Sequence, residues 1–141
     1  MSVIVWVADA GWPEAVDAAL AHSPSFSEVV LLHVTPGEAG DVAHGGFATL
    51  LGRSRREADP PTAGRIEGQQ DAEAMLAGAA DRAGNRLVTV LRRTGRPERE
   101  VVAASVGAEL LVIARDGGGL SPMVRFVVEH ATCPVLLVRR S

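Results

Sequence analysis

The hydrophobic pattern of this chain points to a single α/β domain: an open, doubly wound parallel sheet of five strands with helices on both faces. Three observations carry that expectation. Five short runs, SVIVWVA at 2–8, EVVLLHV at 28–34, RLVTVL at 86–91, ELLVIA at 109–114 and CPVLLV at 133–138, are apolar and β-branched with little polar alternation, as strands covered on both faces are. Between them lie stretches of helical period, each opened by a proline or closed by a glycine. Parallel strands joined through helices cross over right-handedly, which winds helices onto both faces. At 141 residues one core can bury roughly two thirds of the unfolded surface. Patterning alone leaves the strand order open.

Taken in order, Ser2 to Ala8 forms the first strand and Asp9-Ala10-Gly11 ends it. Trp12-Pro13-Glu14 opens the first helix. Proline is tolerated there because its missing N–H would have no intrahelical partner, and Glu14 meets the positive end of the helix dipole. Ala15, Val16, Ala19 and Leu20 share its inner face until Ser23-Pro24-Ser25 breaks the pattern. The second strand, Glu28 to Val34, is stopped by Thr35-Pro36-Gly37. The stretch 36–64 is rich in Gly, Pro and Arg. Apart from a short helix around Phe47 to Leu51 it is assigned no regular structure. It is long for a connection, which makes it a flexible surface excursion or a functional flap. Its arginines Arg53, Arg55 and Arg56 are either a solvated charge run or a cover for a bound phosphate.

Glu67 to Ala83 is the clearest helix, with Ala72, Met75, Leu76, Ala79, Ala80 and Ala83 on one stripe and Gly84 as C-cap. Arg86 to Leu91 is the third strand, followed by a turn at Thr94-Gly95-Arg96. Pro97 opens a helix that carries Val101, Val102 and Ser105 inward and closes at Gly107. Glu109 to Ala114 is the fourth strand. Ser121-Pro122 then starts a helix to about His130, as N-cap and first-turn proline. Cys133 to Val138 is the fifth strand.

Composition removes several function classes. A net charge of -3 gives no general attraction to nucleic acid or to an anionic membrane surface. With 4% aromatics and no Tyr, a stacking platform for single strands is not expected. All 14 basic residues are Arg, so no lysine mechanism and no GxxxxGK[ST] loop exists. Cys133 is the single cysteine. It makes no internal disulfide and no CxxC pair, reads as a buried, inert thiol, and fits the cytoplasmic location expected. The apolar start is too short to span a bilayer and lacks a positive n-region, so it reads as a strand. No GxGxxG, GxSxG or HExxH occurs, and His22, His33, His44 and His130 are scattered. His130, at a helix C-terminus, is placed to bond the last carbonyls. No metal set is expected. Nothing assembles a nucleophile, a base and an oxyanion hole, so a non-enzyme is expected.

Two places draw attention. The turn Arg115-Asp116-Gly117-Gly118-Gly119 follows the fourth strand, at the strand ends where open sheets bind ligands. It is either a tight turn or an anion nest. The fifth strand, Pro134-Val135-Leu136-Leu137-Val138, is an apolar edge that would aggregate unless paired, which predicts a dimer along it.

Four stretches resemble the universal stress protein family, in the family's order. VIVWVAD is similar to its first strand and LLHV to its second. GRPEREVVAASVGAELLVIA is similar to its third helix and fourth strand. FVVEHATCPVLLV is similar to its closing H-A-x-C-P-V-L-[LV]-V. The A-R-D-G turn and the R-F-V-V-[DE]-H-A helix are similar to actinobacterial members. The resemblance implies the strand order 3-2-1-4-5 and a homodimer through the fifth strands. It also implies a nucleotide site in the subset of members that bind ATP and carry G-x-x-G, nine residues, then G-[ST] after the fourth strand.

Against that signature, Ala114 stands at the first Gly and Gly117 at the second. The spacer is Gly118, Gly119 and Leu120, three residues in place of nine. Ser121 stands at the third Gly and Pro122 at the Ser/Thr. Pro122 removes an N–H and a hydroxyl where a phosphate oxygen would be held, and Asp116 adds a negative charge partly offset by Arg115. At the adenosine end, Asp9, next to Ala8, matches the family's residue after the first strand, and Val34 matches the position whose backbone meets adenine. Asp9 also reads as a helix cap, and Val34 as a plain strand end. The candidate nucleotide residues are thus Ala8, Asp9, Val34, Ala114, Arg115, Gly117, Gly118, Gly119 and Ser121. The expected function is a non-enzymatic stress-response homodimer with a degenerate nucleotide site, acting through protein partners. The alternative is a sensor of an adenine nucleotide (ATP, AMP or cAMP) at the crevice between strands one and four.

Overall fold

The structure, a computed structural model, describes residues 1–8, 11–37, 60–115 and 118–140; over 60–70 it describes the backbone. The described residues form five strands and four helices. They are β1 (Ser2–Trp6), α1 (Trp12–Ala21), β2 (Glu28–Pro36), α2 (Pro60–Ala83), β3 (Val88–Gly95), α3 (Pro97–Ala104), β4 (Leu110–Arg115), α4 (Pro122–His130) and β5 (Val135–Arg139). All pairings are parallel and the sheet order is β3-β2-β1-β4-β5. This is the expected doubly wound sheet in the expected order.

The pleat sorts the core into two layers. Val3 and Val5 of β1, with Val7 just past it, face α1 and α2 and pack with Val16, Leu31 and Leu76. Ile4 and Trp6 face α3 and α4 and pack with Leu32, Val101 and Val127. A central strand in this fold is covered on both sides, so its sequence shows no polar alternation. The small residues Ala15, Ala19, Ala79 and Ala83 are buried between α1 and α2, which lets the two helices lie side by side on one face. Across their outer surface Arg82 pairs bidentately with Asp17 at 2.7 and 2.8 Å, an exposed contact of small energetic weight.

Element ends differ from the sequence reading in instructive ways. β3 runs straight through Thr94 and Gly95, where a turn is predicted, because β2 also continues to Pro36 and keeps its register, Pro36 beside Gly95. An edge strand has one neighbour, so its outer half tolerates Arg92, Arg93 and Thr94, residues that an apolar criterion rejects. α2 begins at Pro60, seven residues before the expected Glu67, so 60–64 belongs to a helix and not to the irregular stretch. The short helix expected around Phe47 to Leu51, with His44, Arg53, Arg55 and Arg56, lies outside the described residues. β1 stops at Trp6 and β5 starts at Val135, leaving Cys133 in the bend before it. Cys133 is half-buried rather than fully buried, and that burial pushes its thiol pKa up, which disfavours a reactive thiolate.

The caps match their chemistry. Ser121 is extended (φ -65°, ψ 158°), and its hydroxyl accepts the Val124 N–H at 3.2 Å, with Pro122 as the first helical residue. Gly84 closes α2 at φ +66°, a left-handed conformation that glycine adopts without a Cβ penalty. His130 Nδ1 lies 2.8 Å from the Phe126 carbonyl at the end of α4.

Candidate functional site

β1 and β4 are neighbours in the centre of the sheet. After β1 the chain turns to α1 on one face; after β4 it turns to α4 on the other. The two departures leave a crevice at the strand ends, the place where open α/β sheets bind ligands. Gly11 forms its floor. A Cβ built on Gly11 would lie 2.6 Å from the Ala114 Cβ, so the loop after β1 reaches the end of β4 only because residue 11 has no side chain.

Two adjoining clefts open here. One, of ≈ 200 Å³, is lined by Gly11, Ala114, Arg115, Gly119, Ser121, Val124 and Arg140. The other, of ≈ 150 Å³, is lined by Trp6, Ala8, Trp12, Ile113, Ala114, Ser121, Met123 and Val124. They share Ala114, Ser121 and Val124. The first cleft is lined by two arginines and the second by two tryptophans, Trp6 largely buried and Trp12 with its ring over Gly78 of α2, so the crevice has a cationic end and an apolar, aromatic end. Two local bonds shape the cationic end. The Arg115 Nη1 donates to the Gly118 carbonyl at 2.8 Å, holding Gly118 near the strand end. The Arg140 N–H donates to the Arg115 carbonyl at 2.9 Å, so the chain beyond β5 stays beside β4.

Of the candidate residues, Ala8, Ala114, Arg115, Gly119 and Ser121 come together on these walls. Gly118 contributes its carbonyl to Arg115. Val34 is not on either wall: it lies in β2 beside Arg93, buried in the core layer under α3 and α4. Asp9 and Gly117 lie outside the described residues. The Val124 N–H is given to the Ser121 hydroxyl, and Pro122 offers no N–H, so the start of α4 is poorer in free backbone donors than an ordinary helix N-terminus. Trp6, Gly11, Trp12, Met123, Val124 and Arg140 were not singled out as site residues from sequence. The available signal was the clustering of both tryptophans of an aromatic-poor chain around the end of one strand.

A third cleft, of ≈ 310 Å³, lies away from the crevice, between α2 and the ends of β2 and β3, with His33, Thr35, Glu73, Leu76, Arg92 and Thr94 on its walls. Arg92 and Glu73 form a bidentate pair there, with one bond of 2.7 Å. The hydrogen bond from Arg92 holds the Glu73 carboxyl below its usual range. Burial lowers the His33 pKa, against the attraction of Glu73, which acts to raise it. Among the described residues no three His, Cys, Asp or Glu side chains sit together as a metal site, and no helix is long and apolar enough to cross a membrane.

Comparison with known proteins fits this architecture. A universal stress protein in complex with cAMP is similar at TM-score 0.66 and 19% identity, over 100% of this chain and 98% of that one. A universal stress protein family protein from Arabidopsis thaliana with AMP bound is similar at TM-score 0.61 and 20% identity, over 100% and 92%. A universal stress protein from Archaeoglobus fulgidus is similar at TM-score 0.61 and 19% identity, over 98% and 93%. At these identities the likeness shows the fold. No curated protein gives a significant match. The sequence profile described as Universal stress protein family matches residues 13–139. With nine tenths of the chain matched by that profile and the sheet order in place, the chain belongs to the universal stress protein family.

Proposed function

We propose that this is a non-enzymatic stress-response protein, a homodimer along β5, that holds an adenine nucleotide with a short phosphate chain in the β1/β4 crevice. One observation carries the reading: the crevice joins an aromatic cleft at Trp6 and Trp12 to a cationic cleft at Arg115 and Arg140. A nucleotide has the same two ends, a flat ring and an anion. Each cleft, ≈ 200 and ≈ 150 Å³, lies below the roughly 300 Å³ at which ligand sites begin, so a ligand must span both and be small. With the three-residue turn and Pro122, this favours a monophosphate over a triphosphate. Two structurally similar family members carry AMP and cAMP, which supports the same size of ligand. The non-enzymatic part rests on the absence of a nucleophile–base pairing in the sequence.

A second reading, with no nucleotide and action through protein partners alone, is favoured by one detail: at the start of α4 Pro122 has no N–H and the Val124 N–H is already given to the Ser121 hydroxyl. Calorimetric titration with AMP, cAMP and ATP separates the two, with the emission of Trp6 and Trp12 as a parallel signal. The nucleotide reading expects AMP or cAMP to bind tighter than about 100 μM, ~-5.5 kcal/mol, with an emission change. A silent titration with all three ligands leaves only the second reading standing.

A further inference from the structure

The crevice contains a phosphate-reading device that the family's glycine signature does not describe. Building on the nucleotide reading above, we infer that Arg115 and Arg140 together form a side-chain clamp for one phosphate group, and so set the preference for a nucleoside monophosphate over the bare nucleoside.

Three observations meet here. First, backbone capture is weak: Pro122 has no N–H and the Val124 N–H is already given to the Ser121 hydroxyl. A phosphate at this end therefore needs another source of donors. Second, the same cleft wall presents two guanidinium-bearing residues from neighbouring strands, Arg115 at the end of β4 and Arg140 just past β5. The Arg140 N–H to Arg115 carbonyl bond, at 2.9 Å, fixes the two backbones side by side. Third, Arg115 is braced by its bond to the Gly118 carbonyl, which lowers the entropy lost when it takes a ligand. Both residues also make further interactions within the protein. A planar fork of N–H groups pairs with two phosphate oxygens at once, a geometry that an ammonium cannot match. Arg140 also follows directly on the edge strand, which places one half of the clamp at the end of the proposed dimer interface.

The test compares adenosine with AMP on the full chain, in wild type and in Arg140→Ala, Arg140→Lys and Arg115→Ala. Wild type should bind AMP about tenfold or more tighter than adenosine. Arg140→Ala should bring AMP to within about twofold of adenosine. Arg140→Lys should recover only part of the preference. In wild type the preference should shrink as ionic strength rises, a readout that needs no variant to fold. Equal binding of adenosine and AMP by wild type, or a preference that survives both alanine variants, overturns the clamp while the nucleotide reading stands. If neither adenosine nor AMP binds wild type, the nucleotide reading and the clamp both fall.

Discussion

Gly11 decides whether the crevice can exist. Its backbone, φ -82° and ψ 0°, is open to any residue, so the requirement is purely one of space: a methyl there would meet the Ala114 Cβ at 2.6 Å. Gly11→Ala is expected to cost about 1–3 kcal/mol as an overpacked contact, and to weaken nucleotide binding by shifting the loop that floors the cleft. Ala114→Gly removes the opposing atom. The double variant should recover a large part of the lost melting temperature, whereas additive losses would show that the contact is not the cause. His33 makes a second residue-scale prediction. Its folded pKa lies below the ordinary 6.5, first because burial penalises the charged ring. The folded state therefore resists protonation more than the unfolded chain does. His33 favours folding at pH values above 6.5, and that contribution is lost as pH falls below it. In the pH dependence of thermal stability, His33→Gln should flatten the decline below pH 6.5, and an unchanged decline would exclude His33 as its source. Neither effect was legible in sequence. Gly11 reads there as the end of a turn and His33 as one of four scattered histidines; only the approach of β1 to β4 and of α2 to β2 gives them roles.

At the scale of elements, local chemistry was most readable where it repeats a short-range rule. Ser121-Pro122 at the start of α4 and the glycine after α2 follow from their own residue types, and both appear where expected. Ser121→Ala should lower stability by about 1 kcal/mol through the lost cap. If Ser121 serves only as the cap, AMP affinity should be unaffected, and a loss of affinity beyond that expected from stability would give its hydroxyl a role in binding. Boundaries set by tertiary contact were less readable. β3 extends to Gly95 because β2 extends beside it, and α2 begins at Pro60 although 60–66 has no apolar stripe to announce it. The site followed the same division. The turn after β4 was visible as glycines, and so was Arg115. Arg140 was not, because it reaches the cleft only through the parallel pairing of β5 with β4, which puts Arg139 beside Arg115.

For the whole molecule, the sheet order was fixed by the family resemblance and not by hydrophobic pattern, which is satisfied by any arrangement that buries the same strands. The order matters because it decides which strands are edges. β3 and β5 are the two, and they differ in kind. The outer half of β3 carries Arg92 and Arg93, both exposed and ion-paired to Glu73 and Glu100; charges on an edge discourage pairing with another sheet. β5 carries Val135, Leu136, Leu137 and Val138 in succession, all only half-buried, before its first charge at Arg139. The pleat turns Leu136 and Val138 toward the α1/α2 layer and Val135 and Leu137 toward the α3/α4 layer. A second copy laid along β5 would cover apolar side chains on both faces and satisfy the free edge of the backbone at once. Leu137→Arg should therefore convert the proposed dimer to monomer in sizing chromatography with mass detection, and Val135→Arg, on the same face, should act alike. Far-UV circular dichroism checks that each variant keeps its fold. Charge added instead to β3, as Thr89→Arg, should leave the dimer intact. A dimer that survives both β5 variants and dissociates with the β3 variant would assign the interface to the opposite edge, and would detach the Arg140 side of the crevice from any influence of assembly.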